Sequence, residues 1–173
     1  MSNTPPPPEP TASPAGRSAG YGGWAIKNLR TAGGQETLRF DAVITRHGTP
    51  RLYVYNGGEG GCHMFEPMER GDEGRRAVAE LDAWAQHWNT GTELAGVVDI
   101  DQFVDRLVAV AELNRMRRVV FLLDDEQYWD DGRAHAVTGI ADRGAAIEHI
   151  RRQYAGRNAR YWNRNTCEWT PVD

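Results

Sequence analysis

Lysine is almost missing from this 173-residue chain: Lys27 stands alone beside nineteen arginines. The bias is uniform along the sequence, so it reads as compositional usage, although arginine can also serve planar recognition. Cysteine is nearly as scarce. Cys62 and Cys167 lie more than a hundred positions apart, which excludes the dense disulfide framework of a small secreted domain. No apolar run approaches the ~20 residues of a membrane helix. The first residues are prolines and polar groups, without the apolar centre of a signal peptide. A net charge of −4 offers no general attraction to nucleic acid or anionic lipid. Together these absences lead to the expectation of a soluble, cytoplasmic protein with reduced thiols and no membrane contact.

What is present suits one core. Hydrophobic residues make up 40% of the chain, with six Trp and six Tyr, enough to bury a sizeable interior in a single domain. Residues 1–22, MSNTPPPPEPTASPAGRSAGYG, are dominated by Pro, Ser, Ala and Gly. Such a segment buries too little apolar surface to offset its ordering entropy, so it is expected to be a disordered tail. Residues 23–173 are expected to form the domain, and no internal repeat is visible.

WAIKNLRT, TLRFDAVITRH, RLYVYN and CHMFEP read as four strands separated by AGGQE, HGTP and NGGEGG. In TLRFDAVIT, Leu38, Phe40, Ala42 and Ile44 share one face at period two. Helical spacing follows: Val78, Leu81, Ala85 and Trp88 make one stripe that stops at Asn89-Thr-Gly. Asp99 and Gln102 form a variant capping box before a second stripe of Phe103, Val104, Leu107, Val108 and Ala111. VVFLL, residues 119–123, reads as a buried strand, and RAHAVTGI as a weaker one. Asp142 opens a third helix with Ile147, Ile150 and Tyr154 on one side, and ARYWNRNTCEWTP ends the chain as a last strand. The expected fold is α+β, with a mainly antiparallel meander of about four N-terminal strands, about three helices and further strands near the C-terminus.

Several chemistries can be weighed on this frame. The loop YNGGEGGCH, residues 55–63, has four glycines but no following Lys-Ser/Thr or helix, and Glu59 would repel phosphate. It reads as a turn and not as a phosphate cradle. Cys62 and His63, if both lie on a strand, point to opposite faces, so they are read as a buried thiol beside a surface imidazole. Zinc would want closely spaced ligand pairs, which two distant cysteines and five scattered histidines do not supply. No catalytic residue, metal or cofactor is assigned.

Two charged segments remain. Asp124, Asp125, Glu126, Tyr128, Trp129, Asp130 and Asp131 form an acidic loop with aromatics. It is read as a partner-binding patch anchored by Trp129 or, alternatively, as a set of Mg²⁺ ligands in a small hydrolase or nuclease. From Arg143 to Arg164 there are six arginines against one acid, Glu148, a balance of 6 − 1 = +5. Arg151, Arg152, Arg157, Arg160, Trp162 and Arg164 are the candidate patch there, for nucleic acid or an acidic partner.

FDAVITRHGTPRLYVYNGGEGGCHMFEP followed by AVAELDAWAQHW and DIDQFVDRLV resembles small uncharacterised proteins encoded by bacteriophages, plasmids and their bacterial hosts. In those, a strand with a glycine-rich turn leads to an aromatic residue and then to paired acidic helices. The resemblance covers about residues 24–118. It implies a non-catalytic accessory protein of mobile elements that binds host or phage machinery, a protein partner first and nucleic acid as the alternative. It carries no catalytic residues over, and it leaves the oligomeric state open.

Overall fold

The computed structural model describes residues 21–91, 95–97 and 99–172, apart from the side chains of Asp130 and Asp131. The expected tail lies outside the described residues except for Tyr21 and Gly22. Tyr21, placed in that tail by composition, is buried in the core.

The N-terminal half is the expected meander. Strands β1 (Trp24–Ala32), β2 (Arg39–Arg46), β3 (Thr49–Asn56) and β4 (Met64–Pro67) pair antiparallel in sequence order. His47 and Gly48 both have positive φ, which gives the β2–β3 hairpin a twist matched to its strands. Ile44 sits opposite Ile26 on one side and Leu52 on the other, and Ala42 opposite Val54. These residues and Phe40 form the sheet's inner face, while Leu38 precedes the strand and is exposed.

That face packs against two helices, α1 (Gly71–Asn89) and α2 (Asp99–Arg115). On α1 the fully buried line is Ala77, Leu81 and Ala85, with Val78 and Trp88 only partly buried at its borders. On α2 it is Phe103, Val104, Leu107, Val108, Val110 and Leu113. The expected capping box takes another form. The Asp99 carboxylate turns back to accept from the Gly96 N–H at 3.1 Å and from Asn89 Nδ2 at 2.6 Å. It thereby ties the end of α1 to the start of α2.

The chain then builds a second antiparallel sheet from the further strands expected near the C-terminus. Its order is β6 (His135–Ala136), β5 (Val120–Leu122), β7 (Arg160–Asn163) and β8 (Glu168–Pro171). VVFLL is continuously apolar because both faces of β5 are covered. Val120 and Leu122 join the main core, while Val119, Phe121 and Leu123 join a second cluster with Ala146 and Ile150 of α4 (Arg143–Gln153). Asp142 caps α4 as expected, accepting from the Ala145 N–H at 2.7 Å, an interaction worth about 1 kcal/mol. The acidic loop contains a helical turn, α3 (Tyr128–Asp131), closed by Gly132 at φ 69°. The fold is α+β. Among the described residues no helix is long and apolar enough to cross a membrane.

Candidate functional site

The glycine-rich loop is held from inside. Asn56 Oδ1 accepts from the Gly58 N–H at 2.8 Å, and Asn56 Nδ2 donates to the Gly61 carbonyl at 3.3 Å and to His63 Nδ1 at 3.0 Å. His63 Nε2 in turn donates to Asp105 Oδ1 on α2 at 3.0 Å. One tautomer satisfies the whole set, with the proton on Nε2. The Gly58 carbonyl accepts from the N–H groups of Gln35, Glu36 and Thr37, locking the loop onto its neighbour. Gly58 has φ +80°, and a Cβ there would lie 2.7 Å from the Gly34 Cα, so two independent reasons demand glycine. A carbonyl, not a row of N–H donors, sits at the centre of this turn.

Burial of the adjacent pair is the reverse of the expectation. His63 is buried, packed edge-on against Phe40 with ring centroids 5.0 Å apart, and Cys62 is exposed. The strand begins only at Met64, so period-two alternation does not govern these two residues. The Asp101 carboxylate accepts from the Cys62 thiol, and this, more than burial, pushes the thiol above its ordinary value. A protonated thiol is a poor nucleophile, and both nitrogens of the neighbouring imidazole are engaged.

The two charged segments meet each other. Arg157 pairs with Asp124 at 2.6 Å, and Arg160 Nη2 donates to the Glu126 carbonyl at 2.7 Å. Glu126 accepts from the Leu123 N–H at 2.8 Å and from His135 at 2.9 Å. The Leu123 N–H chiefly, then His135, holds its carboxyl below the usual range. Asp125 is exposed. The Asp130 and Asp131 side chains lie outside the described residues. Arg151 and Arg152 are exposed and pair with Glu148 on their own helix. Arg164 is half-buried and Trp162 is wholly buried, its Nε1 donating to Asn114 Oδ1 at 2.9 Å. Lys27 donates to the Gly48 carbonyl, away from the acidic loop. Among the described residues no three of His, Cys, Asp and Glu gather as a metal-binding group.

The aromatics of the acidic loop face inward instead. Tyr128 is buried and Trp129 half-buried, edge-on to Trp162 at 5.9 Å. Trp129 forms one wall of a cleft of about 270 Å³ whose other lining residues are Tyr21, Trp88, Arg106, Glu168 and Trp169. The Arg106 guanidinium lies 3.7 Å from the Trp129 ring centroid and 5.3 Å from that of Trp88. Stacking of this kind covers the guanidinium faces and leaves its N–H fork directed in plane. The Tyr21 hydroxyl is its polar neighbour, and no carboxylate among the described residues forms an ion pair with it. Burial pushes Arg106 below its ordinary value, opposed only by Tyr21. The Trp169 indole N–H is buried without a hydrogen-bond partner among the described residues. A second hollow, about 520 Å³, runs along Pro67, Arg70, Gly71 and Val78 at the start of α1, where Arg75 is paired with Asp72.

Sequence reasoning singled out Trp129 but missed Arg106, Trp88 and Trp169 as its companions. Trp88 was read as part of the apolar stripe of α1 and Trp169 as part of the last strand, and Arg106 was not singled out. Only the packing of α2 against the C-terminal hairpin brings them together. Comparisons with family models, with curated proteins and with solved structures return no match.

Proposed function

We propose that this chain is a non-catalytic accessory protein that binds a macromolecular partner, a protein, through the aromatic cleft around Arg106. The observation that carries this reading is a guanidinium over the Trp88 and Trp129 rings whose polar partner is the Tyr21 hydroxyl and which has no ionic partner among the described residues. Interface hot spots combine buried aromatics with arginine in this way. The charged segments are weaker candidates, because Arg157 is paired with Asp124, Arg160 donates to main-chain carbonyls and Glu126 is bonded to His135. The nucleic-acid alternative loses its stacking residue to the core, since Trp162 is 1% exposed. An origin in mobile elements remains part of the proposal, resting on the sequence resemblance alone.

The test is affinity capture from native-host extract on the immobilised protein, read by mass spectrometry. A partner retained by the wild type and by Arg151→Glu/Arg152→Glu, but lost by Arg106→Gln, supports the cleft. A partner indifferent to Arg106→Gln and lost with the helix arginines overturns it.

A further inference from the structure

We infer that the cleft receives the C-terminal residue of a partner polypeptide, its carboxylate on Arg106 and its apolar side chain against Trp88, Trp129 and Trp169. This inference rests on the protein-binding reading above and names the group that is bound.

Tyr21 takes up only part of the hydrogen-bonding capacity of Arg106. Arg106 offers planar donors whose geometry fits a carboxylate two-pronged, and charge-assisted bonds of that type are about twice as strong as neutral ones. Burial holds its pKa below the ordinary value, opposed by Tyr21, and an adjacent anion would further favour the charged form. Trp169, whose buried N–H has no partner among the described residues, lines the same cleft. Glu168 lines the cleft without forming an ion pair to Arg106, so the remaining guanidinium donors are left for an incoming anion.

Size and surroundings select which anion. A volume of about 270 Å³ falls below the roughly 300–1,000 Å³ of sites that enclose drug-sized ligands. It suits one residue and not a chain passing through. The walls are indole rings, so the group beside the charge must be apolar. A C-terminal residue carries both features on one Cα, whereas an internal Asp or Glu brings charge alone. Glu168 lines the cleft and Glu112 acts on the adjacent Tyr128. These acids repel a polyanion such as nucleic acid, while a single carboxylate is balanced by Arg106.

The probe is N-acetyl-leucine, which copies an apolar C-terminal residue, titrated into the full chain with tryptophan fluorescence as the readout. Three of the six tryptophans line the cleft, so occupancy changes the emission. The expected result is saturable binding at least tenfold tighter than that of N-acetyl-leucinamide, which differs only in lacking the charge. Arg106→Gln should weaken binding at least tenfold, and Arg106→Lys, which keeps the charge but loses the fork, should fall between. The acid–amide comparison uses wild-type protein only, so it stands even if a variant fails to fold. Free leucine binding as tightly would mean a small amino-acid site, and N-acetyl-aspartic acid α-amide binding as tightly would mean an internal acidic side chain. Either overturns the inference, as does equal binding of acid and amide. Partner capture that still depends on Arg106 would survive those outcomes, so the two proposals can fail separately.

Discussion

Replacing His63 by alanine should unfold the glycine-rich turn's support without touching any reactive centre. The imidazole accepts from Asn56 Nδ2 and donates to Asp105, each at 3.0 Å, and it fills space against Phe40 and Phe65. Its removal leaves Asn56 Nδ2 with only the long contact to Gly61, a buried under-satisfied donor that costs about 1–2 kcal/mol. Asp105 is 67% exposed and rehydrates, so its lost bond adds about 0.5 kcal/mol at most. The void beside the two phenyl rings adds about 1–2 kcal/mol. The sum is about 2–4.5 kcal/mol. With a urea m-value of about 2 kcal/mol per molar, the midpoint should fall by roughly 1–2 M with m unchanged. Cys62→Ser should lie within about 0.5 kcal/mol of wild type, since that thiol is exposed. A His63→Ala loss under about 1 kcal/mol, or equal effects for the two variants, would refute the reasoning.

Other outcomes follow from the same geometry. Gly58→Ala should destabilise by about 2 kcal/mol or more, from its φ of +80° and the contact with Gly34, read as a lowered Tm. Trp162→Ala should cost about 3–5 kcal/mol, whereas Arg151→Glu/Arg152→Glu on the exposed face of α4 should change stability by under about 1 kcal/mol. Cys62 should react slowly with a disulfide reagent at neutral pH, and Asp101→Asn should accelerate it by removing the carboxylate that raises the thiol. Glu126 has its folded pKa depressed, so its contribution is present above the ordinary glutamate value and is lost as pH falls through the folded value. Glu126→Gln should therefore flatten stability against pH below about 4.3, measured by urea denaturation across that range.

The sequence made the secondary structure legible wherever one face of an element is buried and the other wet. The Phe40, Ala42, Ile44 alternation and the Leu81–Ala85 spacing correspond to buried lines in the structure. Asp142 was legible as a cap because capping chemistry is local. His63 was misread because it packs on Phe40 of β2 and bonds to α2, both distant in sequence, and because it lies before the strand that begins at Met64. The charged segments were read as separate surfaces for a similar reason. Arg157 and Asp124 are thirty-three residues apart and meet only once the second sheet has formed. Arg106 carried no local signal at all, since stacking between Trp88 and Trp129 requires three separate elements.

The most direct measurement is a crystal structure of the full chain soaked with N-acetyl-leucine. Its carboxylate is expected within about 2.7–2.9 Å of the Arg106 N–H fork, with the leucyl side chain against Trp88, Trp129 and Trp169. Density for the ligand at the Cys62–His63 turn, with the cleft empty and the Asn56–His63–Asp105 bonds broken, would contradict both the recognition site and the scaffolding role given to that turn.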